Sequence, residues 1–235
     1  MKVLFKLLIK AVTQTGLRYA GGINMMKVFN GIKNPLLITA AMLLICGLAY
    51  PLLLTGISQI LFPHQANGSL ITIDGQAVGS ELIGQDFTDP RFMKNRPSAV
   101  NYNTYTQEEI EGGNYTGVGS GSKNYAPTNP ELVKRVEADI EEFLNANPSI
   151  NKEDIPTDLI TASGSGLDPH ISPASAAVQV PALAETTGLS VETLEAIVKK
   201  NTQGKMFGIF GEETVNVLKV NLEIVKELGL TEQAD

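Results

Sequence analysis

The chain has 235 residues, a formal net charge of −7 and one cysteine, a length that allows one membrane anchor and one domain of ordinary size. The charge is unevenly divided, because residues 1–63 contain six Lys or Arg and no acid, whereas residues 64–235 contain 25 acidic and 12 basic side chains. An acidic domain without a basic patch argues against nucleic acid as a partner. Since Cys46 lies in the apolar N-terminal segment, the domain that follows has no disulfide and depends on its core for stability.

The apolar segment at residues 35–62 predicts a transmembrane helix. Its 28 residues include no Asp, Glu, Lys, Arg or His, and about 20 apolar helical residues span the ~30 Å hydrocarbon layer of a bilayer. One alternative is a buried helix of a soluble core, which normally carries a polar stripe. The other is a cleaved signal peptide, whose apolar region has about 7–15 residues and precedes a small-residue cleavage site that is not found here.

The basic residues on either side of this segment predict its orientation. Lys27 and Lys33 precede it, and the next basic residue after it is Arg91. The positive-inside rule places the side of the helix that is richer in Lys and Arg in the cytoplasm. We therefore expect the N-terminus to be cytoplasmic and the domain at residues 63–235 to lie outside the cell membrane.

Residues 1–34 are then expected to form a basic cytoplasmic leader. Two interpretations of its first 24 residues stay open. They form a basic amphipathic segment on the membrane surface, or they precede the true start, since Met25 or Met26 would leave a short basic leader directly before the anchor.

Three residues inside the predicted membrane helix favour packing against another helix. Gly47 and Gly56 offer small surfaces for close approach. Pro51 removes a backbone hydrogen bond and kinks a helix, a feature that membrane proteins tolerate where a neighbouring group satisfies the freed carbonyl. A helix surrounded only by lipid needs neither feature.

The domain at 63–235 is predicted to be α+β, extracellular or periplasmic. A short strand at residues 70–73 is followed by Asp74-Gly75, which is typical of a hairpin turn. Residues 77–78 and 82–83 are expected to continue this sheet. Residues 84–130 are rich in glycine, proline and tyrosine, and such a long irregular stretch in a compact domain is usually functional or disordered.

The second half of the domain is predicted to be mostly helical. A capping residue, a proline and an acid at 128–131 begin one helix, and the apolar spacing continues to about residue 144. Residues 159–161 indicate a short strand or extended entry. Ser172 and Pro173 begin a helix that Pro181 interrupts, Ser190 caps another, and the apolar positions from 215 to 228 predict the last.

The residues provide little sign of catalysis or of a metal site. The two histidines, His64 and His170, have no acid or cysteine at metal-ligand spacing. The glycine-rich stretch 117–123 ends in a lysine but does not match the phosphate-loop spacing. Turns fixed by proline and glycine present charged groups that suit either docking on another protein or bracing of the domain's own loops; the candidates are Gln85, Asp86, Arg96, Pro97 and Asp168.

Several separate strings, in the same order from about residue 34 to 228, match the pattern of a known family. They lie at residues 50–52, 62–70, 82–87, 96–99, 128–132, 159–168, 171–173, 179–181 and 215–218, together with Asn221. In these strings the sequence resembles the C subunits of the Kdp potassium-transporting P-type ATPases of bacteria and archaea.

The resemblance implies a non-catalytic, single-pass subunit of a high-affinity ATP-driven potassium importer in the plasma membrane. The implied partners are a potassium-channel-like subunit, a P-type pump subunit that hydrolyses ATP, a small membrane subunit and the lipid bilayer. The family is described as a catalytic chaperone that raises the ATP affinity of the pump subunit, so ATP would act through that subunit. The alternatives from other classes are a membrane-anchored extracellular hydrolase and a small-ligand binding module.

The chain departs from the family pattern at two places. The family often shows Ser-Gly-Gly-Ser-Asn before the helix at residue 130, a string that has been linked to nucleotide binding. Here the corresponding residues, which stay weak nucleotide-binding candidates, are Ser120, Gly121, Ser122, Lys123 and Asn124. Ala182 replaces a common arginine. We expect no catalytic residue and no metal ligand in this chain.

Overall fold

The computed structural model describes residues 25–73, 75–113 and 117–230. The predicted leader therefore lies mostly outside the described residues, as does Asp74 of the predicted hairpin turn. The chain divides into two compact units with the boundary between Ala66 and Asn67.

The first unit contains one long helix. It comprises α1 (Met25–Leu44), a π-helical turn (Ile45–Ala49) and α2 (Tyr50–Leu61), and the four-residue helix α3 (Pro63–Ala66) follows. The stretch Gly31–Leu61 is the single described helix long and apolar enough to cross a membrane, and its side chains are exposed. Its 31 residues correspond to about 46 Å, which exceeds the hydrocarbon layer and leaves length for tilt. The predicted apolar helix is confirmed, although it begins before Pro35.

The π-helical turn has a local cause. Its last hydrogen bond runs from the Tyr50 N–H to the Ile45 carbonyl, five residues back. Pro51 has no N–H, and a proline ring in a regular α-helix clashes with the carbonyl four residues earlier, which here belongs to Gly47. A wider turn directly before the proline separates these groups. The predicted irregularity at Pro51 thus takes the form of a π-turn.

The second unit contains two small antiparallel sheets. Strands β1 (Leu70–Ile73) and β2 (Gln76–Ser80) form a hairpin whose register shifts between Ile71 and Thr72. The second sheet has the order β3-β5-β4, with β3 (His170–Ile171), β4 (Thr202–Gln203) and β5 (Thr214–Asn216). The second sheet is too short to leave an alternating pattern in the sequence.

Two predicted strand segments are not strands. Residues 82–83 form a turn, because the Ile83 N–H donates to the Ser80 carbonyl and reverses the chain. Residues 159–161 comprise the last residue of a 3₁₀ turn (Thr157–Leu159) and the two residues after it. Leu159 is buried by packing rather than by strand pairing. Both apolar segments therefore lie in turns, where residues 82–83 are exposed and Leu159 is buried.

Six helices complete the described part of the second unit. They are α4 (Gln107–Glu111), α5 (Pro130–Ala146), α6 (Pro173–Ala177), α7 (Val180–Thr187), α8 (Val191–Lys200) and α9 (Val217–Glu227), with further 3₁₀ turns at Asn101–Asn103 and Lys152–Asp154. Three of their starts, those of α5, α6 and α8, follow the predicted capping chemistry, whereas the cap of α9 was not predicted. The side chains of Asn129, Ser172, Ser190 and Asn216 accept hydrogen bonds from the first turns of α5, α6, α8 and α9. Pro181 lies in the first turn of α7 rather than inside a longer helix.

The core lies among α6–α9 and the three-stranded sheet. Its fully buried members include Ile171, Leu194, Val215 and Ile224. Met93 comes from the irregular region between β2 and α5, and it is completely buried in the same cluster. The irregular region is therefore fastened to the helical core rather than free on its surface.

Two side-chain amides make this attachment. The Asn221 Oδ1 accepts from the Met93 N–H at 2.8 Å, and its Nδ2 donates to the Met93 carbonyl at 2.9 Å. The Gln179 side chain bonds the backbone of the next residue in the same way. Its Oε1 accepts from the Lys94 N–H at 2.8 Å, and its Nε2 donates to the Lys94 carbonyl at 3.2 Å. An irregular segment has no neighbouring strand that could bond its backbone N–H and carbonyl groups. The two side-chain amides provide these hydrogen bonds instead. We call this pair the amide clamp.

Candidate functional site

Three loops of the second unit meet at one place, which we call the three-loop cluster: residues 96–104, 119–124 and 161–168. The Ser98 hydroxyl donates to the Gly166 carbonyl at 2.6 Å, and the Gly121 N–H donates to the Ser165 carbonyl at 2.7 Å. The Gly119 N–H donates to the Asn103 Oδ1 at 2.9 Å. Hydrogen bonds to backbone groups thus join loops that are far apart in the sequence.

Two glycines permit this close approach. A Cβ on Gly84 would lie 2.6 Å from both the Asp168 carbonyl oxygen and the Tyr102 ring. Gly166 has φ of +68°, and a Cβ there would lie 2.8 Å from the Gly121 carbonyl oxygen. Any larger residue at these positions would push backbone atoms apart. Gly84 and Gly166 are therefore required for this close packing of the loops.

Arg96 and Asp168 form an ion pair across the cluster, with 3.3 Å between nitrogen and oxygen. Arg96 also donates, at 3.4 Å, to the carbonyls of Thr161 and Ala162. Partial burial raises the pKa of Asp168, but hydrogen bonds from His170 and the charge of Arg96 outweigh it, so the pKa lies below its ordinary value. Arg96 and Asp168, two of the five candidates for docking or bracing, therefore brace the domain's own loops.

The backbone of the cluster is strained at one short stretch. Asn101, Tyr102, Asn103 and Asn124 all have positive φ, between 48° and 56°. Asparagine tolerates this left-handed region, but tyrosine rarely adopts it. Tyr102 is held there because its hydroxyl donates to the Arg96 carbonyl at 2.6 Å. Burial raises the pKa of Tyr102 above its ordinary value, which keeps this donor protonated.

A cavity of about 560 Å³ opens beside the cluster. Its lining includes two tyrosines, two cations and two amides, which are Asn101, Tyr105, Lys123, Asn124, Tyr125 and Arg135. The hydroxyl groups of Ser98, Ser122 and Thr161 complete its polar lining. None of the described residues that line it is acidic, although the chain carries a net negative charge. Arg135 is neutralised by Asp139 and also donates to the Ile160 carbonyl at 3.2 Å. The exposed cation of the cavity is therefore Lys123.

The structure divides the five nucleotide-binding candidates into two groups. The Ser120 hydroxyl and the Gly121 N–H both bond the Ser165 carbonyl, so they stabilise the loops. Ser122, Lys123 and Asn124 line the cavity. Whether any of them binds a nucleotide stays a prediction.

The other predicted site residues lie in several environments. The Gln85 side chain donates to the Val78 carbonyl at 2.8 Å, Asp86 is exposed, and Pro97 lines the cavity. A Cβ added to Gly47 or Gly56 would meet nothing within 4 Å. Helix packing at these glycines and at Pro51 therefore stays a prediction.

The cavity residues Asn101 and Arg135 were not foreseen from the sequence. The Asn-Tyr-Asn string at 101–103 is the signal that marks the first, because asparagine adopts left-handed backbone more readily than most residues. Arg135 leaves no such signal, since an arginine on an amphipathic helix usually faces water. Its position over the cavity depends on how α5 docks on the loop at 161–162.

The chemistry of these groups is that of binding rather than of reaction. His170 has its Nδ1 3.6 Å from the Asp168 Oδ1 and its Nε2 3.5 Å from the Asn216 amide. Neither contact is with a hydroxyl or thiol that a histidine could activate. Among the residues that the structure describes, no group of three His, Cys, Asp or Glu side chains is arranged to hold a metal ion.

Comparison with known proteins identifies the family. The sequence profile described as "K+-transporting ATPase, c chain" matches residues 32–226. The chain belongs to the KdpC family. A KdpC subunit of a potassium-transporting ATPase from Clostridium kluyveri is 75% identical over 202 residues, which cover 86% of this chain and 96% of the relative. The corresponding subunit from Clostridioides difficile is 59% identical over 204 residues, covering 85% and 98%.

A more distant KdpC relative from Caldanaerobacter subterraneus is 47% identical over 197 residues, covering 84% of this chain and 95% of its own length. The KdpC profile includes the apolar helix, the three-loop cluster, the amide clamp and all but the end of α9. The family assignment made from separate sequence strings is therefore confirmed.

Proposed function

We propose that the chain is a non-hydrolysing accessory subunit of an ATP-driven potassium importer of the Kdp type. The observation that carries this proposal is the family match over residues 32–226, with relatives up to 75% identical that are described as KdpC subunits of potassium-transporting ATPases. The site agrees with this role, because it offers a braced surface and a cavity without a nucleophile activated by a base. Neither the hydrolase nor the small-ligand module receives support from the comparisons.

The proposed arrangement anchors the chain by one membrane-spanning helix, with the N-terminus cytoplasmic and the second unit outside. Its support is the long exposed apolar helix together with the basic residues on its N-terminal side, of which Lys33 is one. Labelling of single cysteines in intact cells tests the orientation, after Cys46 is replaced by serine. A cysteine at exposed position 152 should react with an impermeant maleimide, and labelling only after lysis would contradict the arrangement.

The partners in this proposal are a channel-like subunit, a P-type pump subunit and a small membrane subunit. The three-loop cluster is proposed to dock on the channel-like subunit, since its braced loops lose little conformational freedom on binding. Under this topology the cluster lies on the opposite side of the membrane from cytoplasmic ATP. A chaperone effect on ATP affinity would then act through the helix, where Pro51 and the π-turn provide an irregular contact surface.

Purification through a tag on the full chain tests complex membership. We expect a P-type ATPase and a multi-span membrane protein to be recovered with it from cells that express the neighbouring subunits. Recovery of the chain alone would overturn the proposal. Growth at micromolar potassium provides a functional readout, because loss of an essential subunit of a high-affinity importer should abolish it.

The cavity's part in docking has its own test with a matched control. Lys123→Glu reverses the exposed charge at the cavity, and the described residues provide no ion pair for Lys123 to lose. We expect weaker subunit recovery with an unchanged unfolding midpoint. Lys152→Glu makes the same chemical change on an exposed 3₁₀ turn and should leave recovery unchanged. Equal recovery with both variants would contradict docking at the cavity.

A further inference from the structure

The connection between β4 and β5 presents a large apolar surface that neither the core nor the three-loop cluster uses. Four side chains at residues 206–210, which we call the apolar tip, are mostly solvent-exposed: Met206 is 68% exposed, Phe207 86%, Ile209 75% and Phe210 65%. Soluble proteins rarely leave such a contiguous group uncovered, and exposed patches of this kind mark interaction sites. The apolar tip is therefore a candidate site for binding a partner.

The apolar tip is held in one conformation by its own backbone. The Met206 N–H donates to the Phe210 carbonyl at 2.8 Å, and the Phe210 N–H donates to the Met206 carbonyl at 3.0 Å. The Gly208 and Ile209 N–H groups also bond within the turn. Phe207 has φ of +53°, a value that costs energy for a bulky residue. A rigid convex group of this kind loses little entropy when it enters a pocket.

The charges around the apolar tip distinguish a protein partner from a lipid surface. Shallow apolar segments bind bilayers more tightly when basic residues accompany them, because cell membranes carry anionic lipids. Here Glu212 and Glu213 follow the tip after Gly211, and residues 64–235 carry 25 acids against 12 bases. Lys205 is the one base in the stretch 204–213. Anionic lipid would repel this surface, whereas a pocket with basic residues at its edge would attract it.

We propose that the apolar tip docks as a knob into a concave apolar pocket, bordered by basic side chains, on another subunit of the transport complex. The inference rests on the proposed function for the existence of that subunit, and it adds a contact distinct from the three-loop cluster. Phe207, the most exposed of the four, would be the central anchor of the contact, since buried aromatic residues supply most of the binding energy at interfaces.

Phe207→Asn in the tagged full chain provides the principal test. Asparagine tolerates positive φ, so the unfolding midpoint should stay the same or rise, while loss of the anchor should reduce subunit recovery roughly tenfold or more. Val133→Asn is the control, because Val133 is an exposed apolar residue on α5 and should leave recovery unchanged. Glu212→Lys with Glu213→Lys should also reduce recovery, as expected if the pocket edge is basic.

Photo-crosslinking identifies what the tip touches. A benzophenone amino acid at position 207 of the assembled complex should form a covalent adduct with another subunit, and the same group at position 133 should not. If only lipid is labelled, or if Phe207→Asn recovers the subunits as well as the unaltered chain does, the docking proposal is overturned while the proposed function stands. If the unaltered chain recovers no subunit, both proposals are overturned.

Discussion

Replacing Asn221 by alanine should strongly destabilise the second unit. Its side chain is 1% exposed and makes two hydrogen bonds to the backbone of Met93, which is itself completely buried. The substitution leaves both the N–H and the carbonyl of Met93 in the core without a partner. It also removes half of the amide clamp that fastens the irregular region to α9.

The expected cost follows from these two orphaned groups. Each buried backbone group without a hydrogen bond costs about 1–3 kcal/mol, so the two groups together should lower the free energy of unfolding by about 2–6 kcal/mol. A domain of this size is typically stable by about 5–15 kcal/mol, so the loss is a large fraction of the total. Entry of a water molecule into the space left by the amide would bring the value toward the lower limit.

Urea unfolding of the full chain in detergent measures the effect. The sequence has no tryptophan, and four of its six tyrosines lie in the second unit, so the change in tyrosine fluorescence on unfolding reports mainly on that unit. With a slope of about 2 kcal/mol per M, a loss of about 2–6 kcal/mol lowers the midpoint by about 1–3 M. Asn145→Ala makes the same change at an exposed position of α5 and should leave the midpoint nearly unchanged. Equal midpoints for the two variants would refute the role of the clamp.

Three further predictions concern other parts of the fold. Gly84→Ala should lower the free energy of unfolding by about 1–3 kcal/mol, because its Cβ would meet backbone at 2.6 Å, whereas Gly164→Ala has open space and should be neutral in the same urea assay. Burial raises the pKa of Asp158, but hydrogen bonds from Ser175 and Ser172 outweigh it and lower the pKa overall. The contribution of Asp158 to the free energy of unfolding is therefore present above the unfolded pKa of about 4 and is lost as pH falls. Asp158→Asn should reduce the difference in unfolding midpoint between pH 7 and pH 3. Pro51→Ala should convert the π-turn to regular α-helix and slow hydrogen exchange of its amides by mass spectrometry; exchange as fast as in the unaltered chain would show that the proline does not cause the turn.

The sequence predicts those features that depend on local chemistry. The apolar helix follows from composition, and the helices that begin at Pro130 and Val191 follow from a capping side chain and periodic apolar residues. The sheet β3-β5-β4 was not predicted, because its strands have only two or three residues and its central pair, β3 with β5, joins residues more than 40 positions apart. Local propensity contains no information about such pairing.

The candidate site was predictable in its members but not in its assembly. Arg96 and Asp168 were singled out as charged groups on fixed turns, yet their 3.3 Å contact depends on loops separated by 72 residues. The cavity likewise depends on the packing of α5 against residues 161–162, which no pattern in either segment specifies. The apolar tip was not predicted as an exposed surface, since composition does not distinguish a buried segment from an exposed one.

The structure explains why a region without regular secondary structure can carry so many of the family's recognisable strings. Gln179 and Asn221 bond the backbone of Met93 and Lys94, and Ser98 bonds the backbone of Gly166. Each bond is specific to one side-chain length and one donor–acceptor pattern, so a conservative substitution would leave a buried backbone group unpaired. An irregular surface fixed in this way has a defined shape without the reactive groups of an active site. That combination suits a subunit whose work is to hold other proteins in a fixed arrangement, and it directs mutational tests toward exposed residues such as Lys123 and Phe207 rather than toward the buried supports.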